Sequence, residues 1–261
     1  MLKPFIIFLG FIVCQIVASA IALVWGKITS ADPDKVVEPT AHQFAVGMAI
    51  AAVLYAAVLW AAKGIRRRPF NTAQKLSACT WISAMVGFML FAFGLSTALS
   101  SLGLSDGGTG ELFGEMKTDA IGLLMLVVVG PMLEELVFRE GIQRSLSKRF
   151  MPVMAALISA TIFGLIHFNP LQTVSAMMLG FVLGLLYMRA GDIRLCLTCH
   201  IINNGLGVLL LCFPTIEADL NQTGALGTSL IGFTLMATGG LILWKGASIN
   251  RKLLLQPPHS L

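Results

Sequence analysis

The sequence predicts an all-α, polytopic transmembrane bundle of about eight helices. Three observations carry that prediction. Of the 261 residues, 56% are hydrophobic and only 12% are charged, about half the charged share of an ordinary soluble domain. Mean hydropathy is +0.84, and the apolar residues gather into runs close to the roughly 20 residues that cross a bilayer as a helix. The connections between those runs alternate in charge.

The predicted spans are 4–25, 43–62, 80–102, 120–143, 152–168, 171–188, 193–213 and 225–244. A helix satisfies its own backbone groups in lipid, whereas these runs lack the period-two alternation of barrel strands. In the first run, Ala18-Ser19-Ala20 resembles a signal-peptide cleavage site. The apolar stretch continues through Ile21 to Trp25, which favours an uncleaved anchor. After the second run comes a basic connection with Lys63, Arg66, Arg67, Arg68 and Lys75 and no acid. Arg144, Lys148 and Arg149 follow the fourth run, and Lys245, Arg251 and Lys252 follow the eighth. The other connections are acidic: Asp32, Asp34 and Glu38, then Asp106, Glu111, Glu115 and Asp119, then Glu217 and Asp219. The positive-inside rule then puts both termini in the cytoplasm. The location of the basic residues accounts for the net charge of +5 and removes the case for a nucleic-acid partner. The tail with Pro257 and Pro258 reads as disordered.

Few strongly polar side chains remain inside the spans. They are Glu134, Glu135 and Arg139 in the fourth, His167 in the fifth, and His200, Asn203 and Asn204 in the seventh. A charge at the bilayer centre costs roughly 2.5–3.5 kcal/mol on insertion scales, so such residues default to a functional reading. Helical spacing sorts them. Glu135 and Arg139, four apart, pair along one face. Glu134 is turned roughly 100° away and is free for other work. Phe163 and His167 share a face, as do His200 and Asn204. The expected arrangement gathers Glu134, His167, His200 and Asn204 around one polar cavity, with Glu135–Arg139 in support. A carboxylate beside an imidazole can activate water, and a second imidazole with an amide can stabilise an oxyanion. Two histidines and a glutamate are equally a zinc donor set. The bland alternative is interhelical hydrogen bonding that only holds a bundle together. His42, at a span boundary, and His259, in the tail, read as bland. Of the five cysteines, Cys196 and Cys199 form a C-x-x-C within the seventh span, where packing is favoured over redox or metal chemistry. Asn221-Gln222-Thr223 fits a glycosylation sequon and carries little weight.

Three motifs stand in order on three spans: Glu134-Glu135-Leu136-Val137-Phe138-Arg139, Phe163-Gly164-Leu165-Ile166-His167, and His200-Ile201-Ile202-Asn203-Asn204. They resemble the E-E-x-x-x-R, F-x-x-x-H and H-x-x-x-N motifs of the CPBP family of intramembrane proteases (CAAX proteases and bacteriocin-processing proteins, or Abi). The resemblance implies a catalytic core over 120–213, preceded by helices in 1–119 and followed by a last helix and tail in 214–261. It implies an integral protein, expected in a bacterial plasma membrane, that hydrolyses peptide bonds of membrane-associated or C-terminally modified substrates. By motif position Glu134 activates water with help from His167, and His200 and Asn204 form the oxyanion site. Glu135, Arg139 and Phe163 are supporting residues. The expectation is a metal-free reaction, with zinc on Glu134, His167 and His200 as the alternative. A proton-coupled transporter, or a non-catalytic immunity or scaffold protein that keeps the motifs, is the competing class.

The expected depths of these groups disagree. At 1.5 Å per residue from the cytoplasmic side, His200 lies roughly 10 Å deep, Glu134 roughly 14 Å and His167 roughly 22 Å, if the fifth helix begins at Pro152. A later start, a strong tilt, or a link 168–171 that turns inside the protein would each reconcile them.

Overall fold

A computed structural model describes residues 2–30, 39–61, 76–191, 193–213 and 223–249. The described helices are α1 (Leu2–Thr29), α2 (Ala41–Ala61), α3 (Ala78–Ser100), α4 (Thr109–Met116), α5 (Ala120–Leu146), α6 (Pro152–Leu165), α7 (Pro170–Ala190), α8 (Arg194–Leu210) and α9 (Gly224–Lys245). Among the described residues six of these are long and apolar enough to cross a membrane, and α6 and α8 are shorter apolar helices. The molecule is a helical membrane bundle. The eight runs read from the sequence coincide with α1–α3 and α5–α9, and α4 is an additional short helix. The basic connection 63–75, the acidic runs at 32–38 and 217–219, the sequon's Asn221 and the tail from 250 onward, with His259, lie outside the described residues.

The outer surfaces of the helices are apolar. Ile28 is 77% exposed, Leu226 75% and Phe233 61%, which water would not tolerate but lipid covers. With lipid outside, burial alone gives little drive, and close backbone approach through small residues does the packing. Between α1 and α2, a Cβ at Gly47 would come 2.7 Å from the Ala18 carbonyl. The Tyr55 hydroxyl donates to Ile7 O across the same pair at 3.0 Å. Between α3 and α9 two glycine pairs meet: a Cβ at Gly94 would lie 2.6 Å from Gly232 O, and one at Gly239 would lie 2.5 Å from Gly87 O. The two glycines on each of these antiparallel helices stand seven residues apart, which keeps both contacts on one seam. The Ser101 and Ser229 hydroxyls close its end at 2.8 Å.

Local sequence sets the helix starts. Ser77 accepts from Thr80 N–H at α3, Asp119 from Gly122 N–H at α5, and Asn169 from Gln172 N–H at α7. Each satisfies an otherwise orphaned donor. Pro152 and Pro170 occupy first turns, where their missing N–H costs nothing.

Helix α5 carries the two acidic residues and is not uniform. Wide π turns at Met125–Val129 and Leu136–Gln143 interrupt it. In the first, Gly130 N–H bonds to Met125 O, and the next residue, Pro131, has no N–H to give to Leu126 O. The Asn204 amide of α8 donates to that carbonyl at 3.0 Å. The irregular turn is thus satisfied from a neighbouring helix, as a backbone defect in lipid must be.

Helix α6 does begin at Pro152, which removes the later start as an account of the depth of His167. Its 14 residues span roughly 21 Å, less than the roughly 30 Å hydrocarbon core. The link to α7 packs against the α3–α4 connection, with Leu171 N–H donating to Ser105 O at 3.1 Å. Within that link Phe168 has φ +56° and is 89% exposed.

Candidate active site

Glu135 and Arg139 lie in the interior between α5 and α8, each with no exposed surface. Arg139 Nε donates to Glu135 Oε2 at 2.9 Å. The other carboxylate oxygen accepts from His200 Nδ1, also at 2.9 Å. The sequence assigned Glu135 to Arg139 alone; the carboxylate in fact serves both the arginine and the histidine. A carboxylate can only accept, so Nδ1 carries the proton and Nε2 is the working nitrogen of His200. Nε2 faces Glu134 Oε2 at 3.6 Å. The four side chains form one line: arginine, carboxylate, imidazole, carboxylate.

The adjacent glutamates have different surroundings, as their helical offset requires. Glu135 is sealed, whereas the Glu134 side chain keeps 24% of its surface exposed. Glu134 lines a narrow cleft with only about 30 Å³ of free space, whose facing walls come from α1 and α2, including Phe11, Gln15, Met48 and Tyr55. This contribution of the N-terminal helices is absent from the motif pattern. The wall residues of α2 recur as 48, 51, 52 and 55, one helical stripe, but a stripe does not say which distant helix it meets.

Phe163 is the centre of the aromatic packing. Its ring lies 4.9 Å from that of Phe138, 5.0 Å from His167 and 6.2 Å from His200, all edge-on. The Arg139 guanidinium carbon sits 5.8 Å from the ring centroid, within cation–π range. Gly180 makes room for this ring: a Cβ there would come 2.8 Å from it.

His167 stands at the end of α6, half-buried, with Nδ1 2.8 Å from Phe163 O. A carbonyl only accepts, so Nδ1 holds the proton and Nε2 presents a lone pair. His167 joins the group through the Phe163 ring. His200 touches both glutamates directly. Asn204, one turn beyond His200 on the same face of α8, spends one amide hydrogen on Leu126 O and keeps a second. Its Oδ1 lies 3.4 Å from the Asn203 amide. Among the described residues no three His, Cys, Asp or Glu side chains gather as metal donors. The alternative zinc set of Glu134, His167 and His200 is therefore not assembled in this arrangement.

Cys196 and Cys199 are fully buried in the core shared by α3, α7, α8 and α9. They pack behind His200 rather than opening into the cleft. His42 does more than its boundary position suggested: Nδ1 lies 2.7 Å from Asp119 Oδ2. It thereby ties α2 to the capping residue of α5. The Gly122 N–H, and after it His42, hold the Asp119 carboxyl below its ordinary range. Only the third dimension brings residue 42 to residue 119; no local spacing announces it.

Residues 117–206 match the family model described as Rce1-like, type II CAAX prenyl endopeptidase. A Bacillus subtilis (strain 168) protein named "Putative membrane peptidase YdiL" is 24% identical over 164 residues, covering 60% of this chain and 67% of that protein. No solved structure gives a significant match. The matched span contains all three motifs and the whole Arg139–Glu135–His200–Glu134 line.

Proposed function

We propose that this chain is a CPBP-type membrane peptidase, which cleaves lipid-anchored peptides by attack of a water activated on Glu134. One observation carries the reading. Glu134 lines an accessible cleft and faces an imidazole whose other nitrogen is fixed by a sealed carboxylate–guanidinium pair. That is the layout of a positioned acid–base couple. The matched model's description, a CAAX prenyl endopeptidase, supports a substrate with a C-terminal isoprenoid anchor. Both termini lie in the cytoplasm in this reading, and the cleft receives its peptide within the membrane.

The steps follow from the donors and acceptors present. Glu134 takes a proton from water, and the His167 Nε2 lone pair assists. The hydroxide attacks the scissile carbonyl. Protonated His200, held by Glu135, and the second amide hydrogen of Asn204 face the developing oxyanion. Collapse expels the amine, which receives the proton from Glu134. In this scheme the water is activated without a metal.

The test is cleavage of a farnesylated peptide by protein reconstituted in liposomes. Glu134→Gln keeps the volume and removes the base, so kcat is expected to fall by roughly 10²–10⁴. Undiminished turnover would remove Glu134 from its role. Activity is also expected to survive exhaustive chelation; a loss reversed by added zinc would favour the metal-assisted alternative.

A further inference from the structure

Helix α1 is apolar almost throughout, and Gln15 is the one amide side chain between Pro4 and Trp25. Packing does not explain it. Gln15 is half-buried and forms no hydrogen bond to any described residue. A polar group at membrane depth normally finds a partner, because leaving it unpaired is costly. Two other polar side chains of this helix pair do find one: the Tyr55 hydroxyl donates to Ile7 O and the Gln43 amide to Thr29 Oγ1.

The position of Gln15 gives the reason. It lines the same cleft as Glu134, on the stripe of α1 that also presents Phe11 and Cys14. Three and four residues from Phe11, these side chains share one helical face. The remaining walls are apolar apart from Glu134 and the Tyr55 hydroxyl, and the latter is already spent on Ile7 O. A peptide whose carbonyl reaches Glu134 must lie along this narrow cleft, and it brings backbone N–H and C=O groups that have lost their water. An amide is the side chain able to answer both, with one acceptor and two donors.

We infer that Gln15 is a substrate-positioning residue, pairing with the peptide backbone across the cleft from Glu134. This rests on the protease reading above and adds the N-terminal hairpin to the substrate site. Gln15 then contributes binding common to ground state and transition state, which appears in KM rather than kcat.

Cys14, half-buried on the same wall, supplies a readout that does not need turnover. With exposed Cys79 and Cys212 changed to serine, and Cys196 and Cys199 buried, Cys14 is the cysteine left for a maleimide. In liposomes, a farnesylated peptide is expected to slow Cys14 labelling at least fivefold, and still to do so in the Glu134→Gln protein. Gln15→Leu, a substitution a lipid-embedded helix readily accepts, is expected to abolish that protection and raise KM about tenfold with kcat within twofold. Gln15→Asn keeps the amide and is expected to restore part of both. Absence of peptide protection in the parent protein, or protection that survives Gln15→Leu, would overturn the inference. If protection depends on Gln15 while Glu134→Gln cleaves normally, the positioning role stands and the assigned base falls.

Discussion

At the scale of single residues, the decisive feature is that Glu135 is shared. One oxygen neutralises Arg139 and the other sets the His200 tautomer. The two functions can be separated by mutation. Arg139 Nη1 and Nη2 already lack partners, so Glu135→Gln would leave a buried guanidinium with no counter-charge. A loss of about 3–5 kcal/mol is expected, measured by denaturant titration in mixed micelles. The double change Glu135→Gln with Arg139→Met removes the stranded charge and should recover most of that loss. Cleavage should remain low in both, because His200 has lost the carboxylate that orients it. Recovery of cleavage with stability would mean that Glu135 serves folding alone.

At the scale of elements, α5 is held by what lies at its ends and irregularities. Its first turn is capped by Asp119, which also meets His42 of α2. A carboxyl held below its ordinary value stabilises the fold at pH above that ordinary value, about 4, and the contribution disappears as pH falls through the lowered value. Asp119→Asn is therefore expected to lower stability at neutral pH and flatten the acid limb of a stability-against-pH curve. An unchanged acid limb would show that the cap contributes nothing. Spacing alone put Glu135 on Arg139 and His200 on the same face as Asn204. It did not show the π turns of α5, because a register shift leaves hydropathy untouched; Pro131 is the one local sign. Helix α4 escaped for a related reason: Thr109–Met116 is short and half polar, with no apolar run to mark it.

At the scale of the whole molecule, the spans were legible because lipid imposes length and charge rules on each one separately. Their neighbours were not. Neither the cleft wall supplied by α1 and α2 nor the His42–Asp119 contact follows from periodicity, since both join segments distant in the chain. The α3–α9 seam is another such pairing, and it is testable. Gly94→Val places methyl groups where the Gly232 carbonyl lies, and overpacking of this kind costs about 1–3 kcal/mol. Gly240 on α9 meets nothing within 4 Å, so Gly240→Val is the matched control and should leave thermal stability unchanged. Equal effects of the two would mean that the seam does not hold the helices together.

That seam also orders events at the ribosome. Helix α3 enters the membrane with its glycine groove bare, and its partner α9 is not synthesised until 123 residues later, counting from Ser101 to Thr223. Leu243, Ala247 and Ile249 complete the core that backs α8, the helix bearing His200. Until they emerge, the core behind His200 lacks these three side chains.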